Sequence, residues 1–317
     1  MQLQDIKHIA VIGAGLMGHG IAQIFANKGY SVSLLDVKSE ILERAVQNIR
    51  NNLTLLAQKG IGIIEDIEPT IERMRVTQHL EEALSDAQFV IEAVYEDLDL
   101  KQTLFREMDG ICSQDTILTT NTSAIRIAEI AQKARGKERI VGTHFWNPPY
   151  LIPLVEIIRG KDTSNKTIGV TFELLKQVGK HPVLVNKDVP GFVGNRLQHA
   201  LWREAISIVE RGIADSATVD EVVKEGFGMR LAVLGPLENA DMVGLDLTLH
   251  IHNYILKHIE SSTEPSDLLK KKVEEGKLGF KKGEGFYDHW RLEDMDHTRK
   301  NLLKHLIDLK IIELQKT

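Results

Sequence analysis

Apolar positions in the first 187 residues fall into short runs separated by stretches with helical spacing. The runs at 7–14 ("KHIAVIGA"), 30–36 ("YSVSLLD"), 74–78, 89–94, 116–121, 139–145, 154–160 and 182–186 predict strands. Between them, 16–29, 39–60, 99–111, 125–134 and 163–178 carry apolar residues three and four apart and predict helices. Several strand runs are nearly continuous in apolar residues, as strands covered on both faces should be. The alternation predicts a doubly wound α/β domain with a parallel sheet. The pattern changes after "KDVPGF" (187–192), where Pro190 and Gly191 punctuate the chain. Helical spacing then dominates at 192–212, 216–226, 238–260, 265–276 and 294–315, interrupted by a Gly-rich run at 279–290 that reads as extended. Two domains are expected: residues 1–187 in the α/β part, and 188–317 in an all-helical part with an extra C-terminal helix.

The turn between the first strand and first helix reads "AVIGAGLMGHG", a G-x-G-x-x-G pattern at Gly13, Gly15 and Gly18. Alone the pattern is weak. Here it follows a strand and opens a helix, where the mechanism needs it. Gly13 permits the tight turn, Gly15 lets a pyrophosphate approach the backbone, and Gly18 lets the helix pack on the strand. The helix N-terminus then offers unpaired N–H groups to the phosphates. The second strand ends at Asp36, 23 residues after Gly13. A carboxylate there accepts from ribose hydroxyls and repels a 2′-phosphate, which favours NAD over NADP. This is a Rossmann-type dinucleotide site.

Composition narrows the class. The chain has 317 residues, 43% hydrophobic and 26% charged, with a formal net charge of −6. That is a globular composition, and the absence of a basic block argues against nucleic acid. One cysteine, Cys112, excludes an intrachain disulfide and fits a reducing compartment. "MQLQDIK" does not read as a signal peptide, and no apolar run approaches the roughly 20 residues of a membrane helix. A cytoplasmic location is expected. His250 and His252 do not share a helix face, so no metal site is expected.

Ligands of doubly wound sheets bind at the carboxyl ends of the strands. Asn121, Thr122 and Ser123 follow one strand in "TTNTSA", and His144 ends the next in "GTHFWNPP". Glu156 lies on a following apolar run, where a buried carboxylate needs a partner. A His–carboxylate pair beside a nicotinamide can take the proton of an alcohol while hydride leaves its carbon. Blander readings exist. His144 and Glu156 could be a packed histidine and a structural ion-pair partner, and Ser123 could cap the helix near Ile125. Trp146, Trp202 and Trp290 read as packing residues. Ser123, His144 and Glu156 also suggest a hydrolase triad, but no G-x-S-x-G elbow is present and the glycine turn would go unused. A non-enzymatic NAD-binding protein is the third reading.

These segments together resemble the L-3-hydroxyacyl-CoA dehydrogenase family over roughly residues 5–290. The carriers are the glycine segment through Asp36, "IEAVYEDLDLKQTLF", "NTSA", "HFWNPPYLIPLVEII", "DVPGFVGNRL", "GPLENADMVGLD" and "GEGFYD". The resemblance implies a helical dimerisation domain, a homodimer built through residues 190–290, and a role in fatty-acid metabolism. It implies that His144 is the base and Glu156 its orienting partner. Ser123 and Asn195 would bond the reacting oxygen or the histidine, with Asn195 closing the site from the helical domain. It extends NAD contact from Gly13, Gly15, Gly18 and Asp36 to Leu16, Met17, Ala93, Val94, Glu96, Lys101 and Asn121. The implied substrate is a short L-3-hydroxyacyl-CoA of the 3-hydroxybutyryl type. Departures at Trp146, Pro149, Tyr150 and Ile152-Pro153 resemble relatives that act without CoA on gulonate-, carnitine- or pyridine-carboxylate-type hydroxy acids. CoA-using members hold CoA with serine and lysine near the loop after the second helix. Here that stretch offers only Lys59 as an obvious cation.

Overall fold

A computed structural model describes residues 2–288 and 290–315; Met1, His289, Lys316 and Thr317 lie outside them. By contacts the chain forms two compact units. The first joins 1–195 to 303–317, and the second is 196–302.

The first unit is built on an eight-stranded sheet. Its elements run β1 (His8–Ile12), α1 (Gly18–Asn27), β2 (Ser31–Leu35), α2 (Ser39–Gln58), α3 (Ile67–Glu72), β3 (Met74–Thr77), α4 (Leu80–Leu84) and β4 (Phe89–Glu92). Then come α5 (Leu98–Ile111), β5 (Ile117–Thr120), α6 (Ile127–Ile130), β6 (Ile140–Phe145), β7 (Leu154–Ile158), α7 (Asn165–Gln177) and β8 (His181–Val185). The strand order is β3-β2-β1-β4-β5-β6-β7-β8. The chain leaves β1 in one direction and returns on its other side at β4, so the crevice for a ligand opens between their carboxyl ends.

Alternation along the strands explains the continuous apolar runs. Ile9, Val11, Phe89, Ile91 and Val141 pack into one core layer with α1, α2 and α7. Ala10, Ile12, Val90 and Ile140 face the other, with residues of α4, α5 and α6. Both faces are buried, so the strands are mostly apolar, and the polar residues they do carry, among them Ser33, Glu92, Thr119, Thr143, His144 and Glu156, are buried with them.

The sheet is not wholly parallel. β7 runs antiparallel to β6, and β8 is parallel to β7. Residues 146–153 alone connect β6 to β7, and a parallel return would need a crossover of a dozen residues or more. The reversal has a consequence: His144 stands directly opposite Glu156 in the register.

The second unit is helical. It holds most of α8 (Gly194–Glu210), then α9 (Ser216–Glu225), α10 (Pro236–Val243), α11 (Leu245–Ile255), α12 (Asp267–Glu274) and the start of α13 (Leu292–Leu314). The expected helix at 238–260 is two helices, because Gly244 adopts φ 105° and caps α10. The Gly-rich run at 279–290 pairs only through a Gly279–Glu284 bridge among its described residues. Among the described residues of 196–302, only Ser207, Gly285 and Met295 are buried. The second half of α13 belongs to the first unit, where Leu303, Leu306, Ile307 and Ile311 pack against Leu55, Leu56, Ile61, Tyr150 and Leu151. No helix among the described residues is long and apolar enough to cross a membrane.

Candidate active site

The glycine turn is shaped by close packing on two sides and openness on a third. Gly13 has φ 101°, and a Cβ there would sit 2.6 Å from the Ala93 carbonyl oxygen. A Cβ on Gly18 would lie 1.7 Å from the Gly13 carbonyl oxygen. Gly15 differs: a Cβ there would meet nothing within 4 Å. Leu16 beside it is exposed and Met17 half-buried. Asp36, just past β2, accepts from the Ala14 amide at 3.0 Å through one oxygen and from the Lys38 amide at 3.4 Å through the other. An open glycine turn at a helix N-terminus, with a carboxylate at the end of the neighbouring strand, fits the phosphates and ribose of a dinucleotide.

Ala93 and Val94 continue from β4 beside this turn and border it through Gly13. Below them lies a buried polar network. Glu92 is inaccessible and accepts from Lys101 Nζ at 2.6 Å, from the Thr120 hydroxyl and from the Val94 amide. Burial pushes the Glu92 carboxyl upward against those partners. Lys101 is 1% exposed and also lies 3.4 Å from Glu96. Its Nζ is thus buried between the carboxylates of Glu92 and Glu96. Glu96 in turn accepts from the Thr122 hydroxyl and from the amides of Ser123 and Ala124. Burial alone would raise the Glu96 carboxyl; the Thr122 bond, the Lys101 charge and the two amides outweigh it and hold it low. The network fixes the turn that carries Ser123.

The Ile125 amide bonds Thr122, not Ser123, so Thr122 closes that turn. Ser123 is exposed, and Asn195 Nδ2 donates to its backbone carbonyl at 2.8 Å. Asn195 falls within the first unit, which runs eight residues past the expected division at 187/188. Asn121 accepts from the Phe145 amide at 2.8 Å and ties the end of β5 to the end of β6.

His144 is 5% exposed and Glu156 1%. His144 Nδ1 lies 2.8 Å from Glu156 Oε2. The other oxygen, Oε1, accepts from the amides of Val193 and Gly194, both at 3.0 Å. These amides open α8, so the carboxylate sits where a helix favours negative charge. Burial alone would raise the Glu156 carboxyl, but the bonds from His144, Gly194 and Val193 outweigh it and hold it below its usual range. With Glu156 ionised, Nδ1 carries the proton and Nε2 is left as the basic nitrogen.

Sequence reasoning did not single out Phe192, Val193 and Gly194 as supports. Phe192 is buried with φ 52°, a left-handed conformation costing a non-glycine residue roughly 1–2 kcal/mol. With Gly191 at φ 75° it turns the chain so that the next two amides meet Glu156. The signal was "DVPGFVGN", with its Pro-Gly punctuation. Gly194 has its own reason: a Cβ there would lie 2.3 Å from Trp146 Cζ2. The Trp146 ring packs 5.3 Å from His144, as a packing residue. Asp188 was also missed; it caps α6 through the amides of Ile127 and Ala128.

A dinucleotide crevice with a buried His–Glu pair defines an NAD-dependent dehydrogenase of the alcohol–carbonyl type. The chain belongs to the 3-hydroxyacyl-CoA dehydrogenase family: its NAD-binding domain profile matches residues 8–189 and its C-terminal domain profile residues 191–289. A probable 3-hydroxybutyryl-CoA dehydrogenase of Bacillus subtilis is 41% identical over 90% of this chain and 98% of its own. The crystal structure of 5-formyl-3-hydroxy-2-methylpyridine 4-carboxylic acid 5-dehydrogenase, described as NAD+-dependent, superposes with a TM-score of 0.90. It is 35% identical, covering 97% of this chain and 98% of that one. An (S)-3-hydroxybutyryl-CoA dehydrogenase structure from Ralstonia eutropha gives a TM-score of 0.74 at 33% identity, covering 90% and 100%.

Proposed function

We propose that the protein interconverts a short L-3-hydroxyacyl-CoA, of the 3-hydroxybutyryl type, and its 3-keto form, with His144 as the general acid/base. The observation that carries this is the Glu156 carboxylate, shared between His144 Nδ1 and the two α8 amides. In the oxidising direction Nε2 takes the hydroxyl proton. Glu156 holds the ring and stabilises the imidazolium that results. Ser123 and Asn195 orient the reacting oxygen, with Asn195 braced on the Ser123 carbonyl. NAD, when bound, supplies the hydride acceptor. Gly13, Gly15, Leu16, Met17, Gly18, Asp36, Ala93, Val94, Glu96 and Asn121 would hold it, and Lys101 would act through Glu96.

A second reading, a CoA-free 3-hydroxy acid, has its own support. The pyridine-carboxylate enzyme matches this chain over its terminal helix as well as its core. That helix packs on Leu55, Leu56 and Ile61, beside the loop whose only obvious cation is Lys59. One experiment separates the readings: NADH oxidation with acetoacetyl-CoA beside a panel of free 3-keto acids. The first reading expects acetoacetyl-CoA to give the highest kcat/KM; a free acid exceeding it by tenfold or more would replace it with the second.

The site is part of a homodimer assembled through residues 190–290, a reading supported by how little the helical unit buries of itself. A cytoplasmic location belongs to the same reading and rests on the single cysteine, Cys112, which suits a reducing compartment.

A further inference from the structure

The segment after His144 is poor in its own donors. Residues 146–153 include Pro148, Pro149 and Pro153, none of which carries a backbone N–H. Two short internal bonds, from the amides of Leu151 and Ile152 to the Pro148 carbonyl, brace part of it. The carbonyls of Pro149 and Ile152 are met by one side chain, Lys180, whose Nζ bonds both, the latter at 2.8 Å. Lys180 sits immediately before β8, and its neighbour His181 donates its amide to Pro153 at 2.9 Å. The same loop presses on α1, since a Cβ at Gly20 would lie 2.6 Å from Pro149 Cγ. From the third side the second half of α13 packs Leu303, Leu306 and Ile307 against Tyr150 and Leu151.

Burial is costly for a lysine. It pushes Lys180 down to about 7, with Lys310 of α13 acting the same way and Glu313 opposing. A neutral amine still has two N–H groups, enough for both carbonyls. Packing alone would be served by an apolar side chain of similar length. The lysine does more than fill space: it pairs the Pro149 and Ile152 carbonyls, which an apolar side chain would leave without this donor.

We propose that Lys180 is a positioning residue for the reaction: it holds loop 146–153, and with it His144 at the end of β6, and the second half of α13 latches that loop in place. This rests on His144 being the base. A base displaced by about 1 Å forfeits up to roughly 100-fold in rate.

The test compares Lys180→Met, Lys180→Arg and Ile307→Ala with His144→Gln, all in the full chain. NADH binding by fluorescence reports an intact cofactor site. Lys180→Met should lose about 10- to 100-fold in kcat with NADH affinity unchanged. Lys180→Arg should recover most of that loss, and Ile307→Ala should fall between. A Lys180→Met protein that melts earlier but keeps its kcat would overturn the proposal. If Lys180→Met does not fold, Ile307→Ala decides, and an unchanged kcat there overturns it. Should His144→Gln itself keep turnover, the base assignment fails; should only that variant lose turnover, the positioning role alone fails.

Discussion

Glu156 is a residue whose two oxygens do different things. One orients His144, and the other is held by the start of α8. On the proposed mechanism, removing either member of the pair removes the same function, a base of the correct tautomer in the correct place. His144→Gln should lose about 10²–10⁴-fold in kcat, with NADH affinity retained because the glycine turn and Asp36 are untouched. Glu156→Gln should fall in the same direction. The double variant should be little worse than His144→Gln alone, since the two act as a unit. Steady-state kinetics of the three variants checks this, and losses that multiply would refute a shared role. The side chains of this pair were legible in the sequence, as a histidine ending a strand and a carboxylate on an apolar run. The amides of Val193 and Gly194 were not, because a backbone donor has no residue signature. Lys101 was legible as present but not as buried, since its partner Glu92 reads only as one more strand residue.

At the scale of elements, the β1–α1–β2 unit was the most legible part, because three levels agree there. Apolar runs set the strands, glycines set the turn, and an acid closes the second strand. Asp36 also braces the turn through the Ala14 amide, so beside its proposed contact with the ribose it has a place in the loop itself. Asp36→Ala should erode the preference for NAD over NADP while leaving the fold intact. Its measure is the ratio of kcat/KM for the two cofactors beside the circular dichroism spectrum. Equal efficiency of the unaltered protein with NADP would sink the reading of Asp36. The antiparallel turn of β7 was less legible. Apolar runs give no strand direction, and only the shortness of 146–153 excludes a crossover. The break at Gly244 was hidden likewise, because apolar spacing continues through it from α10 into α11.

For the whole molecule, the imbalance between its two units decides what it must do in solution. The first unit buries both faces of its sheet. The second leaves Val233 88%, Leu237 80%, Tyr254 73% and Leu249 62% exposed, with almost nothing buried among its described residues. Apolar area gains about 25 cal/mol for each Å² removed from water. Side chains of this size left open across α10 and α11 forgo several kcal/mol that a partner surface would recover. Large exposed apolar patches are rare on monomers and mark interaction sites. A second copy of the same chain would satisfy the need with the one surface, as two-fold dimers do. The protein should therefore be a dimer by light scattering at micromolar concentration. Because folding of the helical unit would then be coupled to association, its thermal midpoint should rise with protein concentration. A monomer at that concentration, with a midpoint independent of dilution, would refute the dimer and require the helical unit to be stable on its few buried side chains.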